Sequence, residues 1–133
     1  MGKQSIVFGG SGFLGSHVAD ELSSQGHQVT IFDLKESPYS KSQHKMIVGD
    51  ILDREKVFEV LKGKDLVFHF AGLADLDDAS TKPMESVTQN IFGTVNILDA
   101  ALEAGAQRIV FASSIYVYSG LGGFYRCSKQ AAE

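Results

Sequence analysis

The chain has 133 residues, 44% hydrophobic and 21% charged, a balance typical of one globular domain and not of a disordered or fibrous chain. Its 12 basic and 16 acidic side chains give a net charge of −4, which leaves no basic excess for a nucleic-acid backbone. No apolar run approaches the ~20 residues that a membrane-spanning helix needs. The four histidines lack the spacing of metal ligands, and the single cysteine, Cys127, cannot form an internal disulfide. We therefore expect a cytoplasmic domain with no metal site and neither a nucleic-acid nor a membrane partner.

Short apolar runs alternate with longer amphipathic segments along the chain. The pattern predicts strands at 5–8, 28–32, 45–48, 65–70 and 108–112. It predicts helices at 12–25, through Val57 to Leu61, at 84–104 and from 125 onward, with Gly26, Gly63 and Gly105 ending the first three. Strands without polar alternation, separated by helices, indicate a parallel sheet covered on both faces. The fold class is therefore α/β, a doubly wound Rossmann sheet with about five strands.

The helix patterns also predict which side chains face the sheet. In the first helix Leu14, Val18 and Leu22 recur every four residues. In the long helix the predicted inward residues are Val87, Ile91, Val95 and Leu98. Asp75, Asp77 and Asp78 are predicted to lie in a solvated loop after the fourth strand.

A glycine-rich segment follows the first strand and has the spacing of a dinucleotide-binding loop. Gly9, Gly12 and Gly15 are three residues apart, and the helix predicted at 12–25 begins within this segment. Such glycines allow a tight turn, a close approach of pyrophosphate to the backbone, and close packing of helix on strand. Asp33 ends the second strand, where a carboxylate accepts hydrogen bonds from the adenosine ribose and repels a 2′-phosphate. This combination predicts NAD as the cofactor.

Six segments together resemble the extended short-chain dehydrogenase/reductase family, specifically its NAD-dependent epimerases and dehydratases. They are residues 9–17, 49–51, 70–73, 90–96, 112–118 and 125–129. The resemblance implies that residues 1–133 form an NAD-binding Rossmann domain, the N-terminal part of a longer protein. It places the chain's last residue before a sixth strand and a C-terminal substrate domain.

The resemblance also implies a set of cofactor-binding residues. These are Gly9, Gly12, Phe13, Leu14, Gly15, Asp33, Asp50, Ile51, Phe70, Ala71, Gly72, Asn90, Tyr125 and Lys129. Asp50 and Ile51 are expected beside the adenine ring, and the segment 70–72 under the pyrophosphate and nicotinamide ribose.

Three residues are implied to be catalytic: Ser114, Tyr125 and Lys129. Tyr125 and Lys129 are four residues apart, so that in a helix their side chains share a face. An ammonium next to a phenol favours the phenolate, the form that accepts a proton. Ser114 follows the fifth strand, at the end of the sheet where open α/β proteins place ligand chemistry.

The implied activity is that of a sugar-nucleotide 4-epimerase or a related oxidoreductase that acts by hydride transfer on a UDP-sugar. Ile115 and Tyr116 stand where dehydratases and decarboxylases of the family carry an acid, which disfavours elimination. The alternative is a non-catalytic NAD(P)-binding sensor or interaction module, suggested by a short segment between Ser119 and Phe124. We expect the longer protein to be a homodimer. We expect the isolated 133-residue chain to be inactive because a helix at the chain terminus frays.

Overall fold

The computed structural model describes residues 2–133 and contains a five-stranded parallel sheet in the order β3-β2-β1-β4-β5. The strands are β1 (Gln4–Phe8), β2 (Gln28–Asp33), β3 (Lys45–Val48), β4 (Leu66–His69) and β5 (Arg108–Phe111). All four strand pairs are parallel. The prediction of a doubly wound α/β fold is confirmed, and no strand end differs from the predicted one by more than one residue.

In residues 2–133, six α-helices connect and cover the strands. They are α1 (Phe13–Ser24), α2 (Arg54–Leu61), α3 (Leu76–Thr81), α4 (Pro83–Val87), α5 (Gly93–Glu103) and α6 (Gly123–Ala132). A π-helical segment, Thr88–Phe92, joins α4 to α5, and a 3₁₀ turn, Ile115–Tyr118, precedes α6. Gly26, Gly63 and Gly105 follow α1, α2 and α5 with positive φ, as predicted for helix ends.

The core has two layers, one on each face of the sheet. On one face Ile6 and Phe8 of β1 pack with Phe32 of β2 against α2 and α5. On the other face Val7 and Ile31 pack against α1. Because both faces are covered, the central strands carry uninterrupted apolar runs.

The strand order reverses direction at β1, which lies between β2 and β4. The connections on the two sides of β1 therefore diverge and leave a crevice at the carboxyl ends of these strands. This crevice is where a doubly wound sheet binds its ligand.

The predicted inward face of the first helix is partly wrong. Leu14 is half exposed, whereas Gly15, Ser16, Ala19 and Leu22 are the buried residues of α1. Small residues face the sheet here because the helix begins directly over the loop between β1 and α1.

The predicted inward face of the long helix is wrong by about one position. Val95 and Leu98 are exposed, while Ser86, Asn90, Thr94 and Ile97 are buried. The first three buried positions are polar, so a hydrophobicity pattern assigns them to the solvent. In the structure each of their side chains has a hydrogen-bond partner, which removes the penalty for burial.

One further prediction, that of the acidic segment, needs correction. The acidic segment after β4 is not a loop: Asp75 caps α3 by accepting from the amides of Asp77 and Asp78. The terminal helix α6 packs against the rest of the chain through Tyr125, Ser128 and Lys129, which are buried. Among residues 2–133, no helix combines the length and the apolar character required to cross a bilayer.

Candidate functional site

A cavity of about 610 Å³ opens at the carboxyl ends of the central strands. Twelve of the predicted site residues line it: Gly9, Gly12, Phe13, Leu14, Gly15, Asp33, Ile51, Phe70, Ala71, Gly72, Tyr125 and Lys129. The chain thus brings the glycine loop and the Tyr–Lys pair, more than a hundred residues apart, to one site.

The three glycines of the loop meet different surroundings. Gly9 has φ +80°, and a Cβ there would come within 2.6 Å of the Ala71 nitrogen. A Cβ on Gly15 would come within 2.2 Å of the Gly9 carbonyl oxygen, so this glycine lets α1 pack on the loop. A Cβ on Gly12 would meet nothing closer than 3.4 Å, although Gly12 lines the cavity. The fold does not itself require glycine at 12, whereas a pyrophosphate lying on the backbone does.

Asp33 is held at the end of β2 by the loop that it faces. One carboxylate oxygen accepts from the Ser11 amide at 3.0 Å, and the Ser11 hydroxyl donates to the Lys35 carbonyl. The second carboxylate oxygen remains available to ribose hydroxyls within the cavity. This geometry fits the adenosine half of NAD.

Tyr125 and Lys129 lie on the buried face of α6. The Lys129 Nζ is 5.9 Å from the centre of the Tyr125 ring and 4.8 Å from that of Phe111. It donates to the Ala112 carbonyl at 2.9 Å. Burial lowers the pKa of Lys129. The pair can therefore present a phenol and an ammonium to a ligand in the same cavity.

A neutral histidine lies behind Lys129. His69 is buried in β4, and its Nε2 is 2.8 Å from the Thr94 hydroxyl. Because that hydroxyl donates to the Asn90 carbonyl, it accepts from His69, which places the His69 proton on Nε2. Burial, with a smaller contribution from the charge of Lys129, lowers the pKa of His69 to about 3. His69 thus adds no second positive charge to the site at neutral pH.

Asn90 acts behind the cavity wall. Its side chain accepts from the Leu73 amide at 2.7 Å and donates to the Leu73 carbonyl and to the Ser128 hydroxyl. A Cβ on Gly72 would lie 2.5 Å from the Asn90 Oδ1. Asn90 therefore joins the wall segment to α6, and it does not line the cavity itself.

Two other predicted residues lie outside the lining. The Ser114 hydroxyl accepts from the Tyr116 amide and caps the 3₁₀ turn, while the neighbouring Ser113 lines the cavity and donates to Glu133. Asp50 accepts from the Leu52 amide and so supports the turn that carries Ile51.

Nine residues of the lining were not predicted from the sequence. The missed residues are Phe32, Leu34, Gly49, Leu73, Ala74, Glu85, Gln89, Ala112 and Ser113. Glu85 and Gln89 are four residues apart, a spacing that places them on one helix side, but no motif marks that side as the cavity rim.

The sequence pattern of the NAD dependent epimerase/dehydratase family matches residues 5–131. The chain belongs to this family. The family is NAD-dependent, in agreement with the cofactor that the glycine loop and Asp33 predict, and the prediction of family and cofactor is confirmed.

Known members of the family differ in their reactions. The chain is 38% identical to the UDP-N-acetyl-alpha-D-glucosaminuronate decarboxylase of Bacillus cytotoxicus over 125 residues, which cover 89% of the chain and 38% of that protein. It is 33% identical to the human decarboxylating sterol-4-alpha-carboxylate 3-dehydrogenase over 115 residues, or 86% of the chain and 30% of that protein. The chain thus spans roughly a third of the length of these curated relatives.

A solved structure shows the same fold. The UDP-glucose 4-epimerase of Brucella ovis, determined in complex with NAD, superposes with a TM-score of 0.90 at 26% identity. The match covers 98% of the chain and 45% of the epimerase. These relatives are enzymes.

Proposed function

We propose that the protein containing this chain is an NAD-dependent 4-epimerase of UDP-sugars. The observation that carries the proposal is the position of Tyr125 and Lys129 in the same cavity as the glycine loop and Asp33. An acid–base pair beside a dinucleotide site is suited to oxidising and reducing a secondary alcohol.

NAD, when bound, would supply a hydride acceptor and donor. Gly9, Gly12 and Gly15 would hold the pyrophosphate against the start of α1, and Asp33 the adenosine ribose. Tyr125 would accept the proton of the sugar 4-hydroxyl as the hydride leaves the same carbon. It would return the proton after the oxidised sugar has rotated in the site and received the hydride on its other face. Lys129 would stabilise the negative charge on the Tyr125 oxygen meanwhile.

Substrate class and reaction follow from different observations. A UDP-sugar is supported by the names of the Bacillus and Brucella relatives. Epimerisation, as opposed to decarboxylation, is supported by Ile115 and Tyr116, which offer no carboxylate next to Ser114.

The test uses the intact enzyme that contains this chain. Interconversion of UDP-glucose and UDP-galactose is assayed beside CO₂ release from UDP-glucuronate, for the natural sequence and for Tyr125→Phe. We expect epimerisation without CO₂ release, and a loss of turnover of roughly a hundredfold or more in Tyr125→Phe with NAD affinity retained.

Unchanged turnover in Tyr125→Phe contradicts the assigned role of the phenol. Release of CO₂ without epimerisation identifies a decarboxylase. Tight NAD binding without turnover of any sugar nucleotide supports the non-catalytic module.

A further inference from the structure

A second cavity, of about 380 Å³, lies away from the dinucleotide site. It opens between the edge of the sheet and α2, and its lining comprises Thr30, Lys45, Ile47, Lys56, Glu59, Val60, Lys62 and Lys64. Lys45 begins β3, and Lys62 and Lys64 precede β4, so the cavity lies toward the amino ends of the strands. It shares no lining residue with the larger cavity.

The charge of this lining is strongly one-sided. Four lysines face one carboxylate, that of Glu59, in a chain whose net charge is −4. Elsewhere in the described part of the chain, cations such as Lys41, Arg54 and Lys82 form ion pairs with aspartates. Within residues 2–133, none of the four cavity lysines has such a pair.

Lys64 and Thr30 give the cavity a fixed inner wall. The Lys64 Nζ donates to the Thr30 hydroxyl at 2.8 Å, and Thr30 is buried in β2. The hydroxyl keeps a proton that it can donate to a ligand. Burial, with a smaller contribution from the charge of Lys45, lowers the pKa of Lys64, as expected for an ammonium next to another cation.

We propose that this cavity binds a small phosphate compound with two or more negative charges, of the size of pyrophosphate. Lysine ammonium groups are strong donors to phosphate oxygens, and a multiply charged anion compensates several of them at once. At about 30 Å³ for a water-sized group, the cavity has room for all the heavy atoms of pyrophosphate. Ile47 and Val60 contribute apolar contacts at the sides.

The experiment is a titration of the ¹⁵N-labelled chain with inorganic pyrophosphate, followed through its amide signals at saturating NAD. Bound NAD keeps pyrophosphate out of the glycine loop, which can itself hold phosphate. If NAD does not bind to the chain, the amide shifts still report where pyrophosphate binds. We expect saturable shifts at Thr30, Lys45 and the segment 62–64, and weaker binding in high salt.

Charge variants give opposite expected results. Lys45→Gln and Lys62→Gln, both at exposed positions, are expected to weaken binding about threefold each, and their combination about tenfold. Glu59→Gln removes the one opposing charge and is expected to tighten binding about threefold. Lys3→Gln and Glu55→Gln make the same charge changes outside the cavity and should leave the affinity unchanged.

Shifts confined to residues 9–15 overturn the proposal. So does an affinity that responds to Lys3→Gln as strongly as to Lys45→Gln, or that does not rise in Glu59→Gln. Failure of NAD to bind contradicts the proposed function and leaves the expected shifts around Thr30 intact.

Discussion

Gly12 separates the requirements of the fold from those of the ligand more clearly than any other residue. Its backbone angles, φ −80° and ψ 176°, are open to alanine, and its Cβ would be in ordinary contact distance of one atom only. We expect Gly12→Ala to keep or raise the free energy of unfolding, by up to about 1 kcal/mol. The same methyl group would displace the pyrophosphate, so NAD affinity should fall at least roughly tenfold.

Gly15→Ala is the matched control in calorimetry and chemical denaturation. Its Cβ would overlap the Gly9 carbonyl at 2.2 Å, so this variant should lose stability. Undiminished NAD affinity in a folded Gly12→Ala protein would show that the backbone at Gly12 does not carry the cofactor.

His69 predicts a pH dependence of stability. Its pKa is lowered to about 3 in the folded chain, whereas an unfolded histidine titrates near 6.5. The unfolded state therefore binds the additional proton, and stability that is complete above pH 6.5 is lost as the pH falls toward 3. Between pH 7 and pH 5 this histidine should account for a loss of about 2 kcal/mol.

The measurement compares urea denaturation at the two pH values in the natural chain and in His69→Gln. We expect the pH-dependent loss to shrink by that amount in His69→Gln and to persist in His17→Gln, whose side chain is exposed. Equal losses in the natural chain and His69→Gln would refute the assignment.

In the helical stretch from α4 to α5, the buried side chain of Asn90 fixes the position of the helix against two other parts of the chain. Asn90 lies in the π-helical segment, and its side chain forms hydrogen bonds with the amide and the carbonyl of Leu73 and with the Ser128 hydroxyl. Asn90→Ala should cost about 2–3 kcal/mol, because several buried groups lose their partner. It should also increase hydrogen exchange at the Leu73 amide.

Asn96→Ala is the control for that element. Its side chain donates only to the Ile51 carbonyl, a half-buried contact, so we expect a loss of about 1 kcal/mol and unchanged exchange at Leu73. Equal effects of the two substitutions on Leu73 would contradict the role of Asn90 in joining the wall of the cavity to α6.

The same element marks the limit of sequence-based prediction. Strand positions follow from continuous apolar runs, and helix ends follow from glycines, because both signals are local. The orientation of the long helix depends on hydrogen bonds between Asn90 and Leu73 and between Thr94 and His69, which are distant in sequence. The glycine loop and the Tyr–Lys pair could be predicted because the spacing within each motif is also a local signal. The position of Ser113 in the cavity lining and the Asp75 cap of α3 depend on tertiary structure and could not.

In the molecule as a whole, an apolar stripe on the outer side of α5 and of the last π-helical residue before it remains without a partner among residues 2–133. Phe92, Val95, Leu98 and Leu102 form it at helical spacing, and each is at least 42% exposed. Such a continuous face on a helix is typical of an association surface. It supports the prediction that the longer protein is a homodimer.

We expect the protein that contains this chain to sediment with twice the mass of its monomer. The Val95→Glu variant should sediment with the mass of the monomer, because an unpaired carboxylate buried in the dimer interface is costly. Tyr39→Glu changes an exposed aromatic residue elsewhere and should leave the mass unchanged. A Val95→Glu protein that remains dimeric would place the interface on another surface.

The proposed function requires that the cavity at the carboxyl ends of β1, β2 and β4 binds NAD. Calorimetric titration of the chain with NAD and with NADP tests this binding, because the Asp33 carboxylate should accept hydrogen bonds from the free ribose hydroxyls of NAD and repel the 2′-phosphate of NADP. We expect one NAD to bind per chain and NADP to bind at least roughly tenfold more weakly. Absence of saturable NAD binding, or equal affinity for the two dinucleotides, would contradict it.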